Sequence, residues 1–192
     1  MKVIYIDTET TGLSPVVNGM IEIAALVEIN GEVVDSILLE MNPNTYMKPI
    51  HIDPTALEVN GRTTDEFANM PSASEQFKVF LAFLNKWVDR FDKQDKFKVC
   101  GYNTQFDMGF IEAWFQDNGN AFYGAYFFRK DLDVFALVRH LTHFGAIVTE
   151  DEKLGTICEF FGIKHDKAHT AMADIVATRE LYLALRRIVW AY

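Results

Sequence analysis

The sequence predicts a mixed α/β fold, a β-sheet with helices packed on its faces. Three observations predict it. Apolar, strand-like runs come first, at residues 3–6, 20–28 and 32–40. An Asn30-Gly31 pair joins the second run to the third, a strong short hairpin signal that makes these two strands antiparallel neighbours. Helical and strand patterns then alternate, as they do when helices cover both faces of a sheet. The length of 192 residues suits one domain, 1–192, and 49% hydrophobic residues suffice for a core.

Each element has its own signal. Val3–Ile6 reads as a short buried strand, MIEIAALVE (20–28) as the second and EVVDSILLE (32–40) as the third. Residues 42–71 are turn-rich, punctuated by Pro43, Pro49, Pro54, Gly61 and Pro71, with room for a short helix near 55–59. Ser72 and Glu75 have capping-box spacing. Phe77, Phe80, Leu81, Leu84, Trp87 and Val88 follow at helical spacing, so 73–90 is expected to be an amphipathic helix. A fourth strand is expected at 97–101, a helix at 106–117, a fifth strand within 124–131, and helices near 133–143, 153–161 and 169–189. Phe77, Phe80, Phe160 and Phe161 fall on helical stripes and are assigned to the core.

Composition narrows the function. The net charge of −9 argues against broad, non-specific coating of duplex nucleic acid, which a basic surface performs. It leaves room for a small site that holds a nucleic-acid end through metal ions. Cys100 and Cys158 lack metal-type spacing and read as small core residues in a reducing compartment. The N-terminal residues do not read as a signal peptide, and no run approaches membrane-spanning length. A cytoplasmic protein without a membrane partner is the expectation.

The chemistry concentrates in three stretches. In YIDTETTGL (5–13) a buried strand ends in Asp7 and Glu9. At i and i+2 of an extended chain their side chains project to one side, where two charges ~4 Å apart repel by about 4 kcal/mol even at an effective dielectric of 20. A hard divalent cation removes that conflict; a turn-capping Asp7 beside a solvated Glu9 is the plainer alternative. In GYNTQFDMGFI (101–111), Asn103, Phe106 and Asp107 lie where the fourth strand gives way to a helix, and strand ends of open α/β sheets are where ligands gather. Asp107 on its own also suits the start of a helix. In HDKAHTAMADIVATREL (165–181), Asp174 sits inside an amphipathic helix flanked by the small residues Ala171 and Ala173. His169 is expected on the loop or first turn before that helix. His165 and His169 have the i,i+4 spacing of a zinc pair, but without further ligands nearby His165 reads as a loop residue.

Asp7-Thr8-Glu9-Thr10-Thr11-Gly12-Leu13, Asn103-x-x-Phe106-Asp107 and His169-x-x-x-x-Asp174 stand in the order of three exonuclease motifs. The chain resembles the DEDDh (DnaQ-like) 3′–5′ exonucleases over nearly its whole length. The resemblance implies a ribonuclease-H-like, five-stranded mixed sheet of order 3-2-1-4-5 with strand 2 antiparallel. It also implies two Mg2+ or Mn2+ ions held by Asp7, Glu9, Asp107 and Asp174, with His169 as general base and nucleoside 5′-monophosphates released from single-stranded 3′ ends. Thr10, Thr11, Gly12, Leu13, Asn103 and Phe106 are the corresponding substrate-contact candidates; Leu13 either wedges against the last base or closes the turn as a core residue.

DNA is the first expectation for substrate, of proofreading or repair type, with a polymerase or another nucleic-acid enzyme as candidate partner. Trimming of RNA or short oligoribonucleotides is the alternative within the enzyme class. A catalytically silent accessory subunit is the alternative outside it, and the presence of all four acids and the histidine argues against it. Asn60-Gly61-Arg62-Thr63 departs from the His-Gly pair that many relatives carry in the loop touching the terminal nucleotide.

Overall fold

The computed structural model describes residues 1–165 and 170–189. Its centre is a five-stranded sheet of order β3-β2-β1-β4-β5, with β1 Lys2–Thr10, β2 Met20–Ile29, β3 Glu32–Glu40, β4 Lys98–Gly101 and β5 Leu132–Asp133. β2 runs antiparallel to β1 and β3, while β4 is parallel to both β1 and β5. The expected order and strand directions are therefore present. The hairpin between β2 and β3 turns at Asn30 and Gly31, both at positive φ (54° and 93°), the left-handed conformation that an Asn-Gly pair adopts readily.

The helices are α1 Pro54–Val59, α2 Ala73–Trp87, α3 Thr104–Asp117, α4 Tyr123–Tyr126, α5 Val134–His143, α6 Leu154–Phe160 and α7 Ala171–Val189. The Ser72–Glu75 capping box forms at the start of α2. Among the described residues no helix is long and apolar enough to cross a membrane.

Strand alternation divides the core. Ile4 and Ile6 pack on one face with Phe77 and Phe80 of α2 and with Phe110, Ile111 and Trp114 of α3. Val3 and Tyr5 pack on the other with Ile175, Leu181 and Leu185 of α7. A third, smaller cluster joins Ile21, Leu57 and Phe67. Cys100 and Cys158 are buried and unpaired, as small core residues.

The structure corrects three expectations. The fifth strand is not within 124–131. It is the two-residue β5, paired with Cys100 and Gly101, while Phe127 makes an isolated bridge to Phe97. β1 does not stop near Ile6 but continues through the polar Asp7-Thr8-Glu9-Thr10, because β2 pairs with it all the way to Met20. Phe160 is 48% exposed and so stands outside the core, although Phe77 and Phe80 are inside it.

Candidate active site

The polar end of β1 fixes the site. Asp7 and Glu9 continue the alternation of Val3 and Tyr5 and so project toward the α7 layer. Thr8, between them, continues Ile4 and Ile6 toward α3. A bulge opposite Glu9 and Thr10 shifts the β1–β2 register there, a feature common beside functional sites because it re-aims side chains.

From the α7 side comes Asp174, in the first turn of that helix. One carboxylate oxygen each from Asp7, Glu9 and Asp174 lie within 4.8 Å of one another. Asp107, in the first turn of α3, arrives from the opposite face and is 3% exposed. Thr8 donates both its backbone N–H (3.0 Å) and its hydroxyl (2.8 Å) to one Asp107 oxygen, which fixes that carboxyl beside the β1 acids. The four acids come from three elements up to 167 positions apart along the chain, and the fold brings them to one strand end.

Their electrostatics follow from crowding. Burial, then the charges of Asp107, Asp174 and Glu9, pushes Asp7 well above its ordinary value of 3.8. Burial, Asp174 and Glu22 push Glu9 up to about 7, with the Arg62 guanidinium pulling the other way. Burial pushes Asp107 up to about 7, against the Thr8 hydrogen bonds that favour its charged form. An all-oxygen donor set whose members cannot comfortably all ionise together is suited to a hard divalent cation such as magnesium or manganese.

His165 is the unforeseen member. It lies in the chain before α7, where its Nε2 stands 2.5 Å from an Asp174 carboxylate oxygen. A ring N–H on a carboxylate fixes the orientation of that carboxylate. His169, the expected general base, lies outside the described residues.

Two depressions flank the acids. The first, about 280 Å3, is lined by Glu9, Thr10, Gly12, Leu13, Val59, Asn60 and Phe106 among others. Leu13 is 84% exposed there, which rules out its reading as a buried turn-closing residue. Thr10 and Thr11 build this loop from within: the Thr10 hydroxyl donates to Gly12 O, and Thr11 donates to His51 O while accepting the Gly19 N–H. A side chain at Gly12 would place its Cβ 2.5 Å from Asn18 Nδ2, and Asn18 is itself bonded to the carbonyls of Thr11 and His51, so only glycine fits. Asn60 donates its side-chain N–H to Thr10 O, so the loop that departs from His-Gly still closes one wall of this pocket.

The second depression, about 640 Å3, lies beyond Asp174 and is lined by Asn103, Tyr102, Phe135, His165 and Asp174 among others. Asn103 lines this second depression and Phe106 the first, with the Phe106 N–H donating to Asn103 O at 3.0 Å. Asn103 adopts a left-handed conformation (φ 72°, ψ 50°), with its backbone N–H on Asp133 Oδ1.

Glu22 and His165 were not foreseen as part of this site, and Thr8 and Arg62, quoted within the first motif and the 60–63 loop, were given no role there. Glu22 left a trace in the sequence: with Glu28 it is one of two charges in a buried run whose other members are apolar.

Comparison with known proteins adds a family to this geometry. Residues 4–182 match the family model described as Exonuclease (RNase_T). The PolC-type DNA polymerase III of Halalkalibacterium halodurans is 30% identical over 178 residues, 93% of this chain and 11% of that protein. The Bacillus subtilis PolC-type polymerase III is 28% identical over 182 residues, 95% of this chain and again 11% of the relative. The chain thus spans about a tenth of the length of these curated relatives. Among solved structures, the zinc-bound E. coli ExoI–single-stranded DNA complex superposes with a TM-score of 0.76 at 20% identity, covering 96% of this chain and 39% of that one. A product-bound exonuclease I structure gives 0.76 at 18%, covering 97% and 43%. At these identities the superpositions establish a shared fold.

Proposed function

Since the chain belongs to the Exonuclease family, whose model spans residues 4–182 of it, we propose that it removes nucleotides one at a time from the 3′ ends of single-stranded DNA, as a divalent-metal-dependent hydrolase. The observation that carries this reading is the convergence of carboxylate oxygens from Asp7, Glu9 and Asp174 within 4.8 Å of one another. The single-stranded DNA in the ExoI complex and the polymerase context of the PolC-type relatives support the choice of DNA and a proofreading or repair role.

Asp7, Glu9 and Asp174, with Asp107 beside them, would hold the Mg2+ or Mn2+ ions. Such ions, when bound, stabilise charge on the attacking and leaving oxygens of an in-line displacement at phosphorus. Thr8 keeps Asp107 from turning away, and His165 does the same for Asp174. His169 is assigned the general base by the resemblance to the DEDDh exonucleases: it takes the proton of the attacking water. The new bond joins water oxygen to phosphorus. The bond that breaks joins phosphorus to the 3′ oxygen of the neighbouring nucleotide, which leaves as the new 3′-hydroxyl, and the terminal unit departs as a nucleoside 5′-monophosphate.

The terminal nucleotide is assigned to the depression between Leu13 and Phe106. Leu13→Ala is expected to raise KM about 10-fold, the equivalent of burying a leucine side chain against a base, with kcat nearly unchanged. Because Leu13 is exposed, the melting temperature should not move. Steady-state kinetics on an oligonucleotide of fixed sequence checks this; a fall in kcat at constant KM contradicts the assignment.

The function itself is tested with 5′-labelled single-stranded DNA and RNA of matched sequence, in magnesium and in manganese. The expected result is a ladder shortening from the 3′ end, faster on DNA. Faster digestion of RNA transfers the assignment to an RNA-trimming enzyme, and intact substrate under every condition refutes catalysis.

A further inference from the structure

Helix α7 delivers Asp174 to the site, so whatever sets the position of α7 on the sheet sets the position of that carboxylate. Besides the apolar packing of Ile175, Leu181 and Leu185, two glutamates of β2 bind this helix. Glu22 and Glu28 are both buried, at 3% and 4% exposure. They share the β2 face that Ala24 and Leu26 turn toward α7. Glu28 accepts from Arg179 Nε at 2.7 Å, in the middle of the helix. Glu22 accepts the backbone N–H of Ala171 at 2.9 Å, at the first residue of the helix. That N–H is one of the donors a helix start leaves without an intrahelical partner, and a carboxylate suits the positive end of the helix dipole.

Glu22 is also the direct cross-strand neighbour of Glu9. Its second oxygen accepts from Arg62 Nη2 at 2.7 Å, and the same nitrogen donates to Glu40 Oε1 at 2.5 Å. Arg62 follows Asn60, which closes the nucleotide pocket, by two residues. The Arg62 guanidinium offsets the buried charge of Glu22 and ties the pocket wall to the sheet.

We propose that Glu22 is a positioning residue for the metal site: by binding the Ala171 N–H it fixes where the α7 start lies against β1, and so brings Asp174 within reach of Asp7 and Glu9. This inference rests on the metal-site reading above. It makes Glu22 necessary for metal affinity without making it a ligand, and what matters is its acceptor oxygen and not its charge.

The test is manganese titration of the whole chain by calorimetry, without nucleic acid, alongside melting curves. Glu22→Ala is expected to weaken manganese binding about 10-fold, as loss of a group that orients a ligand does. Glu22→Gln keeps an oxygen for the Ala171 N–H and is expected to stay within about 3-fold of wild type. Should Glu22→Ala fail to fold, the paired change Glu22→Met with Arg62→Met removes the acceptor and the charge it would strand together; apolar replacement of a buried ion pair is usually tolerated. It is expected to show the same 10-fold loss. Equal weakening in Glu22→Ala and Glu22→Gln would assign the effect to charge and overturn the proposal. Unchanged affinity with a lowered melting temperature would make Glu22 merely structural and overturn it too. Wild-type protein that takes up no manganese would remove the metal-site reading itself, a result distinct from either.

Discussion

Asp7→Asn is expected to reduce nuclease activity by at least about 10³-fold while leaving the metal-free protein as stable as wild type or more so. The two effects have one cause. Asp7 sits among Glu9, Asp107 and Asp174, and two carboxylates ~4 Å apart repel by about 4 kcal/mol at an effective dielectric of 20. Asparagine keeps the shape and cannot ionise, so the folded site no longer has to hold a proton there or bear a charge. The metal-free site loses a source of repulsion, worth an increase of about 3 °C in melting temperature for each kcal/mol relieved in a chain of this size. The loaded site loses a ligand. Activity assays and calorimetric melts on the same preparation separate these effects. Activity above about a tenth of wild type would remove Asp7 from the site, whereas lost activity with a sharp drop in melting temperature would point to the fold instead.

The second large effect is a stability that runs the opposite way to the usual acid profile. Glu9 is held at about 7 against an ordinary 4.5, and Asp107 at about 7 against 3.8. Between those values the folded protein binds more protons than the unfolded chain. Stability contributed by these groups is therefore present in full below the unfolded values and is lost as pH rises through 7. A carboxyl moved this far withdraws on the order of 3 kcal/mol at alkaline pH. With two such carboxyls, chelator-treated protein should thus melt about 10–20 °C lower at pH 8 than at pH 5. Asp35 and Asp95, whose values are lowered by hydrogen bonds from Lys86 and Lys2, act below about pH 4 and leave this window alone. Manganese should reverse the loss at pH 8 and do little at pH 5, because binding displaces the protons that acid conditions retain. Differential scanning calorimetry over this range decides it; a profile that rises with pH in the absence of metal would contradict the crowded-acid account.

Much of the scaffold was legible because it rests on local chemistry. The hairpin at Asn30-Gly31, the Ser72–Glu75 capping box and the apolar stripe of α2 each lie within a few residues, and each element stands where its signal placed it. β5 was missed because two residues carry no periodicity; it is defined by its partners Cys100 and Gly101. Phe160 misled because a stripe drawn over a seven-residue helix has little to anchor it, and its ring lies on the outside.

In the site, Asp7 and Glu9 stood out as charges ending an apolar run, while Asp107 and Asp174 were joined to them by the order of the three motifs. Their supports did not stand out. Thr8 reaches Asp107 across 99 positions, Glu22 reaches Ala171 across 149, and Arg62 reaches back 40 to Glu22. No window on the sequence contains both members of such a pair. A glutamate within MIEIAALVE signals only that a partner must exist, because a buried carboxylate needs one. His165 was passed over because its spacing was weighed against His169, while its contact is with Asp174.

The central claim is that Asp7, Glu9 and Asp174 share divalent cations at the end of β1. Anomalous diffraction from a crystal soaked with manganese and a nucleoside 5′-monophosphate tests it most directly. The account predicts manganese peaks in contact with those three carboxylates and the nucleotide phosphate beside them, its base against Leu13. Manganese bound elsewhere with this cluster left empty, or a nucleotide seated away from the β1 acids, would contradict it.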